Sequence, residues 1–283
     1  MARPTIEPVS VDTLEEFASF LHQHLEPSRS TQEWVSGLTT DWMPGQPNHG
    51  FLVRDNGKIV GGIGAYYANR IIDGQSEKTC NITSWCVLDT HRQQSMRLVM
   101  AIVSQEGYHF TDFSPTKVVG ATLQFLKFKP LDERQVVSLN LPWPTLDSLH
   151  TVHDPQAIAG CLSGDALKVY DDHRRYPWLR HVLVGQPSAW CHVIYKRRSF
   201  KGMPTAVILH ASDKALLSGV WHRLSRHFFR HGLVSTQIEY RTLGRQPWPS
   251  AIRSGFNSKV YLSDTLRNDQ VDYLYSETMA LDL

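Results

Sequence analysis

Trp85-Cys86-Val87-Leu88-Asp89-Thr90-His91-Arg92-Gln93-Gln94-Ser95 carries the chain out of a strand and into a helix, and its reading decides the fold. Upstream of it, Cys80 to Leu88 reads as a strand. From Gln93 the period changes, and Met96, Val99, Met100 and Val103 set one apolar face on a helix that ends near Gly107. Tyr108 to Phe113 is strand-like again. Ser114-Pro115 then opens a second helix, with Ser114 as its N-cap and Val118, Val119, Leu123 and Leu126 as its stripe. Working backwards, Gly50 to Arg54 and Lys58 to Tyr67 flank Asp55-Asn56-Gly57, a strong hairpin signal. Helices are expected over Pro8 to Leu25 and Thr31 to Leu38. Gly61-Gly62-Ile63-Gly64 lies inside the hairpin strand and lacks dinucleotide-fingerprint spacing, so its glycines mark a bulge or a close backbone approach. An antiparallel opening followed by a strand–helix–strand crossover predicts an α/β chain with a mixed sheet.

The pattern breaks at Leu141-Pro142-Trp143-Pro144, which reads as a linker between domains at 1–140 and 145–283. Beyond it, strands at Ser188 to Lys196 and Thr205 to His210, a helix at Lys214 to His231 and a strand at Leu233 to Tyr240 repeat the earlier order. That recurrence suggests a degenerate duplication. Residues 1–140 carry 12 Lys and Arg against 15 Asp and Glu, whereas residues 141–283 carry 17 against 12. Such an asymmetry fits two units with different surfaces, and a net charge of +2 gives no ground for a nucleic-acid partner. No apolar run is long enough to span a bilayer, and Met1 to Glu7 lacks the apolar core of a signal peptide. Cys80, Cys86, Cys161 and Cys191 form no C-x-x-C pair and read as free thiols of a cytoplasmic protein.

From Gly50 to Leu131 the chain resembles the GNAT superfamily of acyl-coenzyme A dependent N-acyltransferases, in particular bacterial proteins with two such domains in tandem. The hairpin, the strand ending Trp85-Cys86-Val87, the loop after it and the tail Thr122 to Leu131 carry the likeness. It implies a GNAT-like acyl-CoA N-acyltransferase fold in two halves, acetyl-CoA or another acyl-CoA as co-substrate, no metal, and a small-molecule amine acceptor such as an amino sugar or amino acid. A homodimer is left open. The backbone of Trp85, Cys86 and Val87 corresponds to the stretch that receives the pantetheine arm. Arg92, Gln93, Gln94, Ser95, Met96 and Arg97 align with the pyrophosphate loop, where helix-terminal N–H groups receive phosphate oxygens. Of the family pattern Arg/Gln-x-x-Gly-x-Gly/Ala only the leading Arg is kept, with Ser95 and Arg97 in the glycine places. Ser114 corresponds to a position flanking the pantetheine.

Amine acylation needs a base for the amine and a proton for the leaving thiolate. The family places a carboxylate on the strand before the loop. Here that place falls near Asn81, and Glu77 is the nearest carboxylate. The helix position where the family holds a tyrosine aligns with Leu123. A base could instead come from the second half, though no residue there can be named from sequence. The missing glycines and tyrosine keep open a catalytically silent binding or assembly module, and the basic second half leaves an aminoacyl-tRNA-dependent transferase as a further alternative. His91 is an exposed loop residue or a neighbour of the phosphates. His227 and His231 fall one turn apart, as metal ligands can, but without H-E-x-x-H or a nearby carboxylate. His227 is therefore grouped with Arg223, Arg226 and Arg230 on a solvated face opposite Trp221, Leu224 and Phe228. Asp171 to Arg175 reads as a surface ion-pair cluster.

Overall fold

The structure, a computed structural model, describes residues 3–144 and 148–282. Met1 and Ala2, which open the stretch read above for a signal, and residues 145–147, which open the second predicted domain, lie outside the described residues. In chain order the first elements are β1 (Thr5–Pro8), α1 (Val11–His24), α2 (Thr31–Leu38), β2 (Gly50–Asp55), β3 (Lys58–Ile72), β4 (Gln75–Val87), α3 (Ser95–Val103), β5 (His109–Asp112), α4 (Lys117–Phe125) and β6 (Lys129–Pro130). They are followed by β7 (Gln135–Leu139), β8 (His150–Val152), α5 (Pro155–Cys161), α6 (Gly164–His173), β9 (Leu179–Gln186), β10 (Ala189–Phe200) and β11 (Met203–Ala211). The last are α7 (Lys214–Arg230), β12 (Ser235–Glu239), α8 (Tyr240–Leu243), β13 (Ser250–Arg253), β14 (Val260–Leu262) and α9 (Glu277–Ala280). None of the described helices is long and apolar enough to cross a membrane.

The chain forms two compact units, and neither is continuous. One holds the chain up to Pro130, Ser258–Leu266 and the stretch from Tyr275 onward; the other holds Leu131–Asn257 and Arg267–Leu274. Each is built on a seven-stranded mixed sheet, ordered β1-β2-β3-β4-β5-β14-β6 in the first and β13-β7-β12-β11-β10-β9-β8 in the second. The connectivity repeats: β1-α1-α2-β2-β3-β4-α3-β5 has its counterpart in β8-α5-α6-β9-β10-β11-α7-β12. In both, the consecutive strands bridged by a helix pair in parallel, β4 with β5 and β11 with β12. The strand that follows β5 or β12 in each sheet is not the next in sequence. β14 fills that place in the first unit and β7 in the second.

Local chemistry explains the elements of the first unit. Ser30 caps α2 by accepting from the Glu33 N–H, while Glu33 reaches back to the Ser30 N–H, a closed capping box. The β3–β4 hairpin is longer than the sequence suggests. It runs through Asn69–Lys78 to a turn at Asp73 and Gly74, both in the left-handed region, over a stretch whose polar residues hide the strand period. On α3 the buried face is Leu98, Val99 and Ile102, whereas Met96 and Met100 are exposed, so the expected stripe is turned by about a residue. α4 begins later than expected. Its cap is Thr116, which accepts from the Val119 N–H, and Val118 faces solvent while Leu123 packs in the core. Ser114 has another partner, described below.

The glycine run of β3 is a packing device. A Cβ at Gly62 would stand 2.3 Å from the ring of Phe17, which is fully buried on α1. Gly62 thus lets α1 lie directly on the sheet, and Phe17 has no space in which to retreat. Gly62→Ala is expected to cost about 1–3 kcal/mol by overpacking. Urea unfolding measures it, and an unchanged midpoint would mean that α1 is free to shift.

In the second unit, Val182, Val193, Ile208, Leu217, Trp221 and Phe228 are core members. Trp221, Leu224 and Phe228 occupy the predicted inner face of α7, but His227 is buried with them and leaves the solvated face assigned to it. His173 departs likewise from its surface cluster. It is fully buried, and its Nδ1 donates to the Val169 carbonyl, while Asp171 and Asp172 make the expected ion pairs with Arg174 and Lys168. Behind the sheet His181 Nδ1 and His192 Nε2 share a hydrogen bond of 3.0 Å, and His210 Nδ1 bonds Asp272 at 2.8 Å. Burial, with neighbouring histidines adding to it, pushes His173 down to about 3 and His181 to about 4, and holds His192 well below the ordinary range. Cys80 and Cys191 are buried free thiols, Cys86 is half-buried and Cys161 exposed.

Candidate active site

β4 is held by β3 as far as Val87, but β5 accompanies it only through Thr79, Cys80 and Asn81. β5 ends at Asp112, so from Ile82 onward the edge of β4 that faced β5 has no strand beside it. A break in register deepens the separation. Gly64 pairs with Thr83 and Gly62 with Cys86, leaving Ser84 and Trp85 bulged without partners on β3, with Ser84 at φ +51°. A cleft of about 460 Å³ opens there. Thr83, Ser84 and Trp85 line one side, and Asp112, Ser114 and Thr116 the other.

Two carboxyl groups lie at the apex of this divergence. Asp112, the last residue of β5, is 4% exposed, and Glu277, the first of α9, is fully buried. Glu277 Oε1 accepts from the Phe113 N–H at 3.1 Å and from the Ser114 hydroxyl at 2.9 Å. Its own N–H donates to Asn81 Oδ1 at 2.9 Å, and Asn81 Nδ2 donates in turn to Thr111 Oγ1 at 3.1 Å. Asp112 Oδ1 accepts from the Ser114 N–H at 3.1 Å. Glu277 Oε2 is buried without a partner among the described residues, and neither carboxyl meets a cation there. Burial is the main force on both. It raises Glu277 to about 7, and with the Glu277 charge beside it holds Asp112 well above the carboxylate range. Two carboxyls so arranged hold their protons more tightly than ordinary carboxylates and titrate as a pair.

The residues singled out in the sequence are distributed as follows. Asn81 sits in the apex, its amide oxygen accepting from the Glu277 N–H and its nitrogen donating to Thr111. Glu77, four residues earlier on β4, bonds His109 Nε2 at 2.9 Å, and the other His109 nitrogen bonds Ser263. It is not among the residues that line the cleft. Trp85 lines the cleft, Cys86 directs its sulfur to the His24 carbonyl, and Val87 packs against Gly61. Asp89–Gln94 is wound as a 3₁₀ turn that runs into α3. Arg92 pairs with Asp89 and is exposed, as are Gln93 and Met96. Gln94 is buried and accepts from Arg97, which also donates to the Pro4 carbonyl. His91 is anchored at both ring nitrogens, to Asp55 at 3.0 Å and Thr90 at 2.8 Å. Met96 shares a second, open cleft of about 530 Å³ with Lys117, Val118, Ala121, Thr122 and Phe125 of α4. Val118 and Phe125 are 75% and 81% exposed, an apolar surface beside the start of α3.

Asp112 and Glu277 were not legible as a pair. Asp112 reads as an ordinary strand end, and Glu277 lies 164 residues from the Phe113 N–H that it accepts. The one local signal is Thr111-Asp112-Phe113-Ser114-Pro115, where a carboxylate closes a strand just before a helix.

Neither comparison with known protein families nor comparison with curated proteins finds a match to this sequence. Comparison with solved structures finds the fold. A GCN5-related N-acetyltransferase from Anabaena variabilis ATCC 29413 superposes with a TM-score of 0.61 at 13% identity, over 92% of this chain and 72% of that one. A GCN5-related N-acetyltransferase from Kribbella flavida does so with a TM-score of 0.56 at 8% identity, over 92% and 71%. The fold is therefore that of the GCN5-related N-acetyltransferases, as the GNAT resemblance implied, and it extends over both sheets rather than the 80 or so residues that carry the sequence likeness.

Proposed function

We propose that the first unit transfers an acetyl or other acyl group from acyl-CoA to the amine of a small molecule, of the amino-sugar or amino-acid class. The observation that carries this reading is the buried Asp112–Glu277 pair at the apex of the β4–β5 divergence. The bare edge of β4 from Ile82 to Val87 offers main-chain donors and acceptors to an extended pantetheine and, at the Ser84–Trp85 bulge, N–H groups for the thioester carbonyl. The neutral acceptor amine attacks the thioester carbon, and Asp112, at the cleft wall, takes the proton that the nitrogen sheds as the C–N bond forms. The C–S bond breaks, and the thiolate leaves as the thiol with that proton. Glu277 acts on Asp112 through charge, and Ser114 links the two by its N–H and its hydroxyl. Arg92, Ser95 and Lys117 are the donors at the start of α3 and α4 for the phosphates, with Met96, Val118 and Phe125 beneath the rest of the coenzyme. The free thiols suit a cytoplasmic setting.

One observation favours a second reading, a module that holds acyl-CoA without turnover. The 3₁₀ turn replaces an open glycine loop, and Arg97, on the first turn of α3 beyond it, is tied to Pro4. Calorimetry with acetyl-CoA, together with release of free CoA thiol over a panel of amino sugars and amino acids, separates the two. One bound acetyl-CoA and thiol release with some amine are expected. Binding without release on any amine favours the silent module, and no binding at millimolar acetyl-CoA removes both readings.

A further inference from the structure

The second unit holds a cluster that the acyltransferase reading does not use. α7 carries His227 near its end and His231 as its C-cap, four residues apart and so on one face. A third ring joins them from a distant part of the chain. His153 follows β8 and precedes Asp154, whose side chain accepts from the N–H groups of Gln156 and Ala157 and so fixes the start of α5. The ring centroids of His153 lie 5.3 Å from His227 and 5.0 Å from His231, and those of His227 and His231 are 4.2 Å apart. One ring nitrogen from each of the three lies within 4.8 Å of those of the other two.

We propose that His153, His227 and His231 form a site for a divalent ion of the zinc class, with a fourth position open to water or a small anion. Tetrahedral Zn–N bonds of about 2.0–2.1 Å place ligand nitrogens roughly 3.3–3.4 Å apart, so a modest inward movement completes the set. His153 and His231 are exposed and free to make it, while buried His227 supplies the fixed corner. The tautomer of His231 is already chosen. Its Nδ1 meets the His227 carbonyl at 2.8 Å and must donate to it, which leaves Nε2 bare for a metal. Three imidazoles with no carboxylate among them suit zinc, cobalt, nickel or copper and not calcium or magnesium. The rings also belong to a cleft of about 860 Å³ whose lining includes Arg174, Arg180 and Arg197. Sequence spacing alone shows only the two rings of α7, and His153, 74 residues before His227, has no motif to mark it.

The test uses tag-free full-length protein, stripped with a chelator and titrated with Zn²⁺ alone, then with Co²⁺. One equivalent of Zn²⁺ is expected, and the visible d–d bands of bound Co²⁺ should be those of a four-coordinate ion. His153→Ala and His231→Ala, both at exposed positions, should each weaken Zn²⁺ binding at least about tenfold while leaving the unfolding midpoint of the metal-free protein unchanged. The proposal falls if no equivalent binds, or if the stoichiometry and affinity survive both substitutions, which would put the ion on other histidines.

Discussion

Asp112→Asn should lower acyl transfer by about 10²- to 10⁴-fold while acetyl-CoA binding holds within a factor of about three. Asparagine keeps an oxygen for the Ser114 N–H but cannot take a proton, so the substitution isolates the acid–base role from the packing of the apex. The pH profile carries the sign. A general base must be bare, so kcat/KM rises with pH as the Asp112–Glu277 pair gives up its shared proton, near neutrality rather than in the acid range where carboxylates ordinarily titrate. Glu277→Gln removes the neighbouring negative charge, which lowers the pKa of Asp112, and the rising limb should move to lower pH. Steady-state kinetics from acid to mildly alkaline pH measure all three effects. An Asp112→Asn enzyme that turns over at the native rate would assign the base elsewhere, and a limb unmoved by Glu277→Gln would uncouple the two carboxyls.

The second large effect concerns stability. His173, His181 and His192 hold protons less readily when folded than in an unfolded chain, where they titrate near 6.5. Each therefore contributes stability that is present above that pH and is lost as the pH falls toward the folded value. For one such group the loss approaches about 1.4 kcal/mol per pH unit, and His181 and His192, joined by a hydrogen bond, titrate as a coupled pair rather than additively. Against a typical total of about 5–15 kcal/mol, the second unit should open between pH 6 and 4. The His181–His192 bond gives a geometric reason, for it needs one bare nitrogen and cannot survive with both rings charged. The carboxyl pair works in the other direction. Its folded pKa values are raised, so its contribution is present at low pH and is lost as the pH rises through about 7. Hydrogen exchange, corrected for its intrinsic pH dependence, distinguishes the two by segment. Acid should release β9, β10 and β11 while β3, β4 and β5 stay protected. Equal protection of β9–β11 at pH 7.5 and 4.5 would refute the argument.

How much of this was readable from the chain depends on the distance over which each contact acts. The hairpin at Asp55-Asn56-Gly57, the helix after Gln93 and the crossover to β5 rest on turn chemistry and period, both local, and they stand in the structure. The face of α3 did not follow, because methionine fits a buried apolar stripe and a solvent-facing surface equally well. The end of β3 was hidden because Asn69, Arg70 and Lys78 erase the alternation. The partner of the candidate base, Glu277, was out of reach for a different reason. Nothing in the apolar and polar sequence around Val260–Leu262 or Glu277–Ala280 shows that these short segments return to the first sheet, and a four-residue helix has no period to read. The buried histidines of the second unit were hidden likewise, since a charged-looking run such as Asp171 to Arg175 gives no sign that its middle member turns inward.

The order in which the residues leave the ribosome gives that returning segment a further meaning. A nascent chain of 257 residues already contains β1 to β6 and the whole turn Asp89–Gln94, yet it lacks β14 and Glu277. In it the Phe113 N–H, the Ser114 hydroxyl and the Asn81 amide oxygen have lost the partner they share in the finished protein. The Asp112–Glu277 pair thus comes into being only after the whole of the second sheet has been translated. The apex of the first unit stays incomplete until the strands of the second have been made.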